Sequence, residues 1–545
     1  MVKKEKERRI MIKLLLLGSC VILTCILCNR LTSRIGVPML FAFILLGMLF
    51  GSEGILHIPF DNFAFAENMC TIALIFIMFY GGFGTRWKAA KPVAGKALLL
   101  SSVGTVLTAV LTGLFCHFAL GFGLLEGLLV GAVLGSTDAA SVFSVLRSKK
   151  LSLKNNTDSL LEVESGSNDP FAYMLTIIIL TMMQGNAEGM ALDILGMVFA
   201  QVLFGAVIGI VLALLTGFML ERIDFGVSGF DTAFVLAAAL LSYALPSAIG
   251  GNGYLSAYLM GIILGNRNVS HKKVLVNFFD GLTSLMQMFI FFMLGLLSFP
   301  SKILAVCVPG LLIAVFLTFV ARPLAVALIL TPLRAKPQQQ LLTAWAGLRG
   351  AASIVFAIMA TRSGAVLSHD LFHIVFCVVL VSILFQGSLL PFCAKKLHMI
   401  DESRDILTTF TDYSDETDVH FIDIPVSEGH PWIGLTVKDL NLPPGTLLVF
   451  LNHPGEKSTV PNGDTVLREG DVLVLGATAY AGKDDIHLTQ IHVDDTHTWR
   501  DKRLCEIRLP KNSLIILVRR GGQTIIPNGD TKVLSGDELV CNTVH

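Results

Sequence analysis

The sequence predicts a polytopic α-helical membrane protein followed by small α+β regulatory domains, and three observations carry that reading. The chain of 545 residues is 53% hydrophobic and only 15% charged, where soluble domains carry roughly 25% charged residues. Its apolar runs are long enough for helices that cross the roughly 30 Å of bilayer hydrocarbon. The charge deficit is confined to residues 13 to 394, whereas 401 to 545 have ordinary soluble composition. The chain therefore divides into a membrane domain, 1–398, a linker, 399–418, and soluble units at 419–478 and 497–545.

Thirteen apolar runs are expected to span, near 12–29, 38–51, 69–82, 97–117, 124–146, 159–184, 193–219, 231–248, 254–265, 280–299, 303–331, 340–361 and 370–392. Met1 to Arg9 is basic and precedes the first run, in the manner of a signal peptide. That run continues well past Cys20, so a retained first span is the expectation. Lys and Arg fill alternate loops, among them Arg86 to Lys96, Arg147 to Lys154 and Arg267 to Lys273. By the positive-inside rule these loops and the C-terminal units are cytoplasmic. Thirteen spans then put the N-terminus outside, although Lys3 to Arg9 argue the other way.

Two of the runs are interrupted. The fifth carries Gly135-Ser136-Thr137-Asp138 and the twelfth carries Gly347-Leu348-Arg349-Gly350. They lie seven runs apart, and an odd offset inverts direction through the membrane. Interrupted helices at corresponding positions of inverted halves mark the binding site in secondary transporters.

Overall charge and cysteine content exclude other classes. Equal numbers of basic and acidic residues, 41 each, give no argument for nucleic acid. The ten cysteines lie mostly singly in apolar runs. Cys25 and Cys28 form a CxxC without a second pair, which reads as packing, since metal sites need more ligands.

Carboxylates in two neighbouring runs supply the chemistry. A charge at bilayer depth costs about 2.5–3.5 kcal/mol on insertion scales, so Asp138, Glu164 and Asp169 need a reason, and an ion pathway is the default one. Thr137 and Asp138 compete with helical backbone bonding, and the nearby glycines weaken the helix further. A break there would offer carbonyls as cation ligands; a tightly packed glycine-rich helix is the other reading. In the sixth run, Glu164 and Asn168 are i,i+4 neighbours, as are Ser165 and Asp169. Pro170 removes a backbone donor and frees the Gly166 carbonyl. The oxygen set suits a hard monovalent cation.

Arg349 needs a buried anion, and Glu164 is the candidate, because an Arg–carboxylate fork satisfies both charges. Asp169 is then comparatively unpaired. Burial disfavours the charged form of a carboxylate, so Asp169 can hold a proton or a cation, but not both. One such group, exposed alternately to each side, suffices for electroneutral exchange of one proton per cation.

The soluble part repeats itself. Leu442-Pro443-Pro444-Gly445 leads to Pro461-Asn462-Gly463-Asp464-Thr465 and Gly470-Asp471; Leu509-Pro510-Lys511-Asn512 leads to Pro527-Asn528-Gly529-Asp530-Thr531 and Gly536-Asp537. Short β-branched runs separated by Asn-Gly and Gly-Asp turns read as hairpins. Ala479 to Thr496 is expected to link the copies. No GxGxxG follows a strand, so a dinucleotide-binding half is not expected.

Gly135-Ser136-Thr137-Asp138-Ala139-Ala140, Glu164-Ser165-x-x-Asn168-Asp169-Pro170 and Gly347-Leu348-Arg349-Gly350-Ala351 together resemble the sodium/proton exchanger superfamily. The Asn-Asp pair looks like its prokaryotic NhaP-type branch, and the likeness runs from 12 to 395. The resemblance implies a homodimer of thirteen-helix protomers in the plasma membrane that exchanges potassium or sodium for protons and carries no other cofactor. It implies that Thr137, Asp138, Ser165 and Asp169, with Asn168, hold the cation or proton, and that Glu164 and Arg349 form a structural ion pair. Relatives often carry Asp-Gly-Gly in the third span, whereas this chain has Tyr80-Gly81-Gly82. Arg322, charged within a run, reads as structurally paired.

Residues 419–478 and, more distantly, 497–542 resemble the TrkA C-terminal (RCK-C) domain. That likeness favours potassium and implies a small regulator, with cyclic di-AMP as one example; dimerisation alone is the other reading. The rival classes lack their signatures. A channel needs a carbonyl filter such as TVGYG, and a hydrolase needs a nucleophile elbow or HExxH; none is present.

Overall fold

The computed structural model of the chain describes residues 18–19, 21–27, 39–149, 151–185, 190–223, 229–267, 269, 272–401, 419–427, 429–443, 446–453, 459–478, 487–495, 497–507, 509, 513–520, 523–525 and 527–543. It divides into two compact units, Met1–Asp415 and Glu416–His545. The predicted run 12–29 and the predicted linker 399–418 fall largely outside the described residues, although residues 21–27 are helical. Of the CxxC pair only Cys25 is described, and it is buried.

Apart from run ends and the two interruptions, the predicted apolar runs are helical wherever they fall on described residues of the first unit. The helices are α1 (Met39–Phe50), α2 (Phe63–Gly84), α3 (Ala94–Leu120), α4 (Leu124–Val133), α5 (Ala139–Ser148), α6 (Thr157–Met183) and α7 (Met190–Arg222). They continue as α8 (Phe230–Ala248), α9 (Gly253–Gly265), α10 (Lys272–Leu297), α11 (Pro300–Leu330), α12 (Pro337–Trp345), α13 (Ala351–Arg362) and α14 (Leu371–Lys396). Among the described residues, seven helices are long and apolar enough to cross a membrane: α2, α3, most of α7, α8, α10, α11 and α14. Outward residues such as Val207, Val211 and Phe218 on α7, and Leu304 and Val308 on α11, are exposed and apolar. A helix that is apolar on its outer face as well as its inner one suits hydrocarbon.

Local chemistry sets the helix ends. The Asn62, Asn252 and Asp370 side chains accept from Phe65, Leu255 and His373 N–H at 2.9, 3.0 and 3.2 Å, capping α2, α9 and α14. Three helices contain a π turn, Leu100–Gly104 in α3, Leu317–Ala321 in α11 and Ser382–Gly387 in α14. The helices pack as two groups. In one, α1 meets α10 and α9 meets α2, α7 and α8; in the other, α3 meets α4 and α14 meets α11 and α13. Helices α6 and α13 also touch α2 and so join the groups.

The second unit holds two small antiparallel sheets. Strands β1 (Val419–Pro425), β2 (Thr446–Asn452) and β3 (Val472–Thr478) pair in the order β1-β3-β2. Strands β4 (His487–His492), β5 (Ser513–Arg520), β6 (Gln523–Ile525) and β7 (Glu538–Thr543) pair as β4-β7-β5-β6. The predicted repeat is reproduced down to its irregularities, with bulges between Leu448 and Phe450 and between Ile515 and Leu517. One correction follows. β4 lies inside the stretch expected to be a linker, because His487–His492 alternates polar and apolar residues too briefly to stand out. Among the described residues the helical part of each sheet unit is one 3₁₀ turn, Val437–Asp439 between β1 and β2 and Leu504–Glu506 between β4 and β5.

Candidate functional site

Both interrupted runs break where the glycines fall. The chain is non-helical from Ser136 to Asp138, between α4 and α5, and from Gly347 to Gly350, between α12 and α13. The two extended segments cross and bond to each other. Asp138 N–H donates to the Leu348 carbonyl at 2.8 Å, and Arg349 Nη1 donates to the Ser136 carbonyl at 2.7 Å. Backbone groups freed by a break must find partners inside a membrane, and here each break supplies partners for the other. Gly350 packs against the Asp138 carboxylate so closely that an added Cβ would overlap it.

Helix α6 lies against the crossing and fixes the first break. Asn168 Nδ2 donates to the Thr137 hydroxyl at 2.5 Å, its Oδ1 accepts from Thr137 N–H at 3.3 Å, and the Ser165 hydroxyl donates to the Thr137 carbonyl at 2.6 Å. The Ser136 hydroxyl donates to the Asp169 carboxylate. Asp138 turns to its own helix, accepting from Ser141 N–H at 3.2 Å and from the Ser141 hydroxyl at 2.5 Å. Asp169 is 4% exposed and Asn168 wholly buried.

A cavity of about 240 Å³ reaches this cluster, lined by Thr137, Asp138, Ser165, Gly166 and Asp169 and also by Tyr80, Glu162 and Asp280. Four of the five predicted binding residues therefore share one cavity. Asn168 does not line it; its amide bonds Thr137 at both ends. The outer lining residues sit near the helix ends that lead into the basic loops Arg86 to Lys96, Arg147 to Lys154 and Arg267 to Lys273. At the other ends of α2, α6 and α13, Glu67 pairs with Arg362 and Gln184 Nε2 donates to the Ser363 carbonyl at 2.9 Å.

One predicted pairing is wrong. The Glu164 carboxylate bonds Arg322 of α11, not Arg349, and both partners are buried. Arg322 directly follows the π turn of α11, which aims it at α6, while Arg349 is committed to the Ser136 carbonyl. Arg349 stays within electrostatic reach of Glu164 and Arg322. Sequence reasoning also passed over Ser136 and Glu162. The first carries no signal beyond its place in the break, and the second reads as a boundary charge at the end of an apolar run.

The sodium/hydrogen exchanger, transmembrane family matches residues 20–396, and the TrkA-C domain matches 421–479 and 488–540. The K(+)/H(+) antiporter NhaP of Alkalimonas amylolytica is 38% identical over 364 residues, covering 66% of this chain and 63% of its own length. The K(+)/H(+) antiporter NhaP2 of Shewanella oneidensis is 34% identical over 470 residues, 85% of this chain and 80% of its own. The sodium proton antiporter MjNhaP1 of Methanocaldococcus jannaschii, solved at pH 8, shares the fold, with a TM-score of 0.60 at 24% identity over 68% of this chain and 97% of that one. With crossed breaks, a carboxylate-lined cavity and a family match over most of its length, the chain belongs to the sodium/hydrogen exchanger family.

Proposed function

We propose that the protein is a secondary antiporter exchanging one monovalent cation, potassium in first place, for one proton. The observation that carries this reading is the charge balance at the crossing. At the crossing itself Asp138, Glu164 and Asp169 oppose Arg322 and Arg349, three carboxylates against two guanidinium groups, leaving one negative charge there, with Glu162 farther out along the cavity. An uncompensated charge in a buried site costs several kcal/mol. One proton or one monovalent cation cancels it, so either loaded form is neutral and free to reorient while the empty form is arrested. Exchange is then obligatory and electroneutral.

Potassium is supported by the names of the Alkalimonas and Shewanella relatives. Sodium is the second reading, because a relative 27% identical over 345 residues is named Na(+)/H(+) antiporter 1. On the positive-inside rule the cavity faces the cytoplasm, as does the soluble unit, whose TrkA-C copies take a small regulator such as a nucleotide second messenger. The assembly is a homodimer in the cell membrane.

Proteoliposome flux tests the reading. Potassium should drive proton movement with the membrane potential clamped at zero, and Asp169→Asn should abolish it. Cation-coupled, pH-dependent exchange persisting in Asp169→Asn would overturn the assignment.

A further inference from the structure

The cavity-facing stripe of α6 runs Glu162, Ser165, Gly166, Asp169, the i, i+3, i+4, i+7 spacing of one helix face. Glu162 thus stands two helical turns from Asp169, on the side of the basic loops. It is 6% exposed, and its Oε1 accepts from the Thr85 hydroxyl at 2.9 Å. The Thr85 hydroxyl also lies 2.8 Å from the Gly81 carbonyl, so this part of the wall presents several oxygens together. Farther out, Asp280 of α10 accepts from the Tyr80 hydroxyl at 3.1 Å.

A second, independent observation marks the space between the two carboxylates. Tyr258 of α9 is buried, and around its hydroxyl stand the Ser167 and Thr85 side chains and the carboxylates of Glu162 and Asp169. It stands over Gly166, where an added Cβ would fall 2.8 Å from the hydroxyl oxygen. Gly166 is thus the one residue of the stripe with no side chain, and the phenol occupies the room this leaves. The phenol lies within electrostatic reach of both carboxylates of the stripe.

We infer that Glu162 is a second cation-handling carboxylate of the exchanger, a transit site through which the monovalent cation reaches Asp169 from the basic-loop side, with the Tyr258 hydroxyl bridging the step. This rests on the proposed antiport. The charged and titratable groups facing Glu162 are Tyr80 of α2, Tyr258 of α9, Asp280 of α10, and Asp138 and Asp169 at the inner end. Along the α6 wall a cation passes from one carboxylate past the Ser165 hydroxyl to the next, with Leu74, Ile77 and Met78 on another wall of the cavity.

The test compares the full chain in everted and right-side-out vesicles. In Glu162→Gln the half-saturating potassium concentration should rise about tenfold when potassium is offered on the basic-loop face, and change less than about twofold on the other. The maximal rate should be retained, and Glu162→Asp should recover most of the affinity. An unchanged half-saturation, or an equal rise on both faces, would overturn the inference. If Glu162→Gln fails to reach the membrane, Glu162→Asp carries the test, since it draws the charge back by one methylene: a one-sided rise of about threefold supports the transit site, and no rise overturns it. Wild-type exchange that Asp169→Asn abolishes while Glu162→Gln leaves it normal on both faces would sink this inference alone. Absence of exchange in the wild type would sink the antiport reading with it.

Discussion

At the first break the chain reads Gly135-Ser136-Thr137-Asp138-Ala139-Ala140-Ser141, and at the second Gly347-Leu348-Arg349-Gly350-Ala351-Ala352-Ser353. The frame is shared and the chemistry is not. Asp138 caps α5 through Ser141, whereas α13 begins on Gly350 without a side-chain cap, and the Ser353 hydroxyl has no partner among the described residues. The position that carries a carboxylate in one half carries no Cβ in the other, and that vacancy accommodates the carboxylate. Similarly, Thr137 offers its carbonyl and hydroxyl to α6, while Arg349 spends its guanidinium on the Ser136 carbonyl of the other break. Two aspartates at the crossing would repel. One carboxylate against one glycine, steadied by one arginine, gives a backbone that is nearly symmetric and a site that is not.

The comparison can be broken most forcefully at its charges. Glu164→Gln leaves two buried arginines without their nearest anion and should cost about 3–5 kcal/mol, read as lost thermal stability in detergent. A double-mutant cycle sharpens this. Glu164→Gln with Arg322→Gln should recover part of the loss, and Glu164→Gln with Arg349→Gln should recover much less. Equal coupling would return Arg349 to the role the sequence assigned it.

Next in size is Asp138→Asn, expected to slow exchange about a hundredfold with little change in stability, since the amide still caps α5. Gly350→Ala should follow, slowing exchange about tenfold because its methyl displaces the Asp138 carboxylate. Gly135→Ala meets only the Thr105 methyl at 2.9 Å and the Ala132 carbonyl at 3.0 Å. It should cost flux about threefold at most, since small core overlaps are relieved by modest shifts. Equal effects of the two alanines would mean that the glycines serve only the break, not the carboxylate.

The smallest effect belongs to the other repeat. In the soluble unit Asp471 meets His453 Nδ1 at 2.5 Å, while its counterpart Asp537 takes a fork from Arg520 at 2.7 Å. Burial pushes the Asp537 carboxyl up, but Arg520 and the Leu534 N–H outweigh it and hold it below its ordinary 3.8. A depressed carboxylate stabilises the fold above its unfolded pKa, and this contribution is lost as pH falls through the lower, folded value. Arg520→Ala should therefore destabilise the second copy by about 1–2 kcal/mol near neutrality, Arg520 being a third exposed and screened. The difference should shrink below about pH 4, as hydrogen exchange in β5 and β7 would show.

Much of the membrane architecture was legible because bilayer physics is strict. Long apolar runs and mid-run glycines admit few readings, and Asp169 beside Asn168 could hardly be ornamental. What stayed hidden depended on distance along the chain. Arg322 and Glu164 are 158 residues apart, and both arginines look equally in need of an anion. Only the crossing shows that Asn168 bonds Thr137 through both ends of its amide. β4 was missed because six half-polar residues weigh little against a stretch that resembles a linker.

The π turns have a consequence for how such chains are compared. One residue added to a helix rotates everything beyond it by about 100°. In α11 the added residue stands just before Arg322, and in α14 the turn contains Ser382, whose hydroxyl accepts Arg349 N–H at 3.0 Å. A relative lacking one of these single residues would keep the same letters and hydropathy. It would still present a different side of the helix to the crossing, so identity counted along α11 or α14 says less about the site than the position of a one-residue gap.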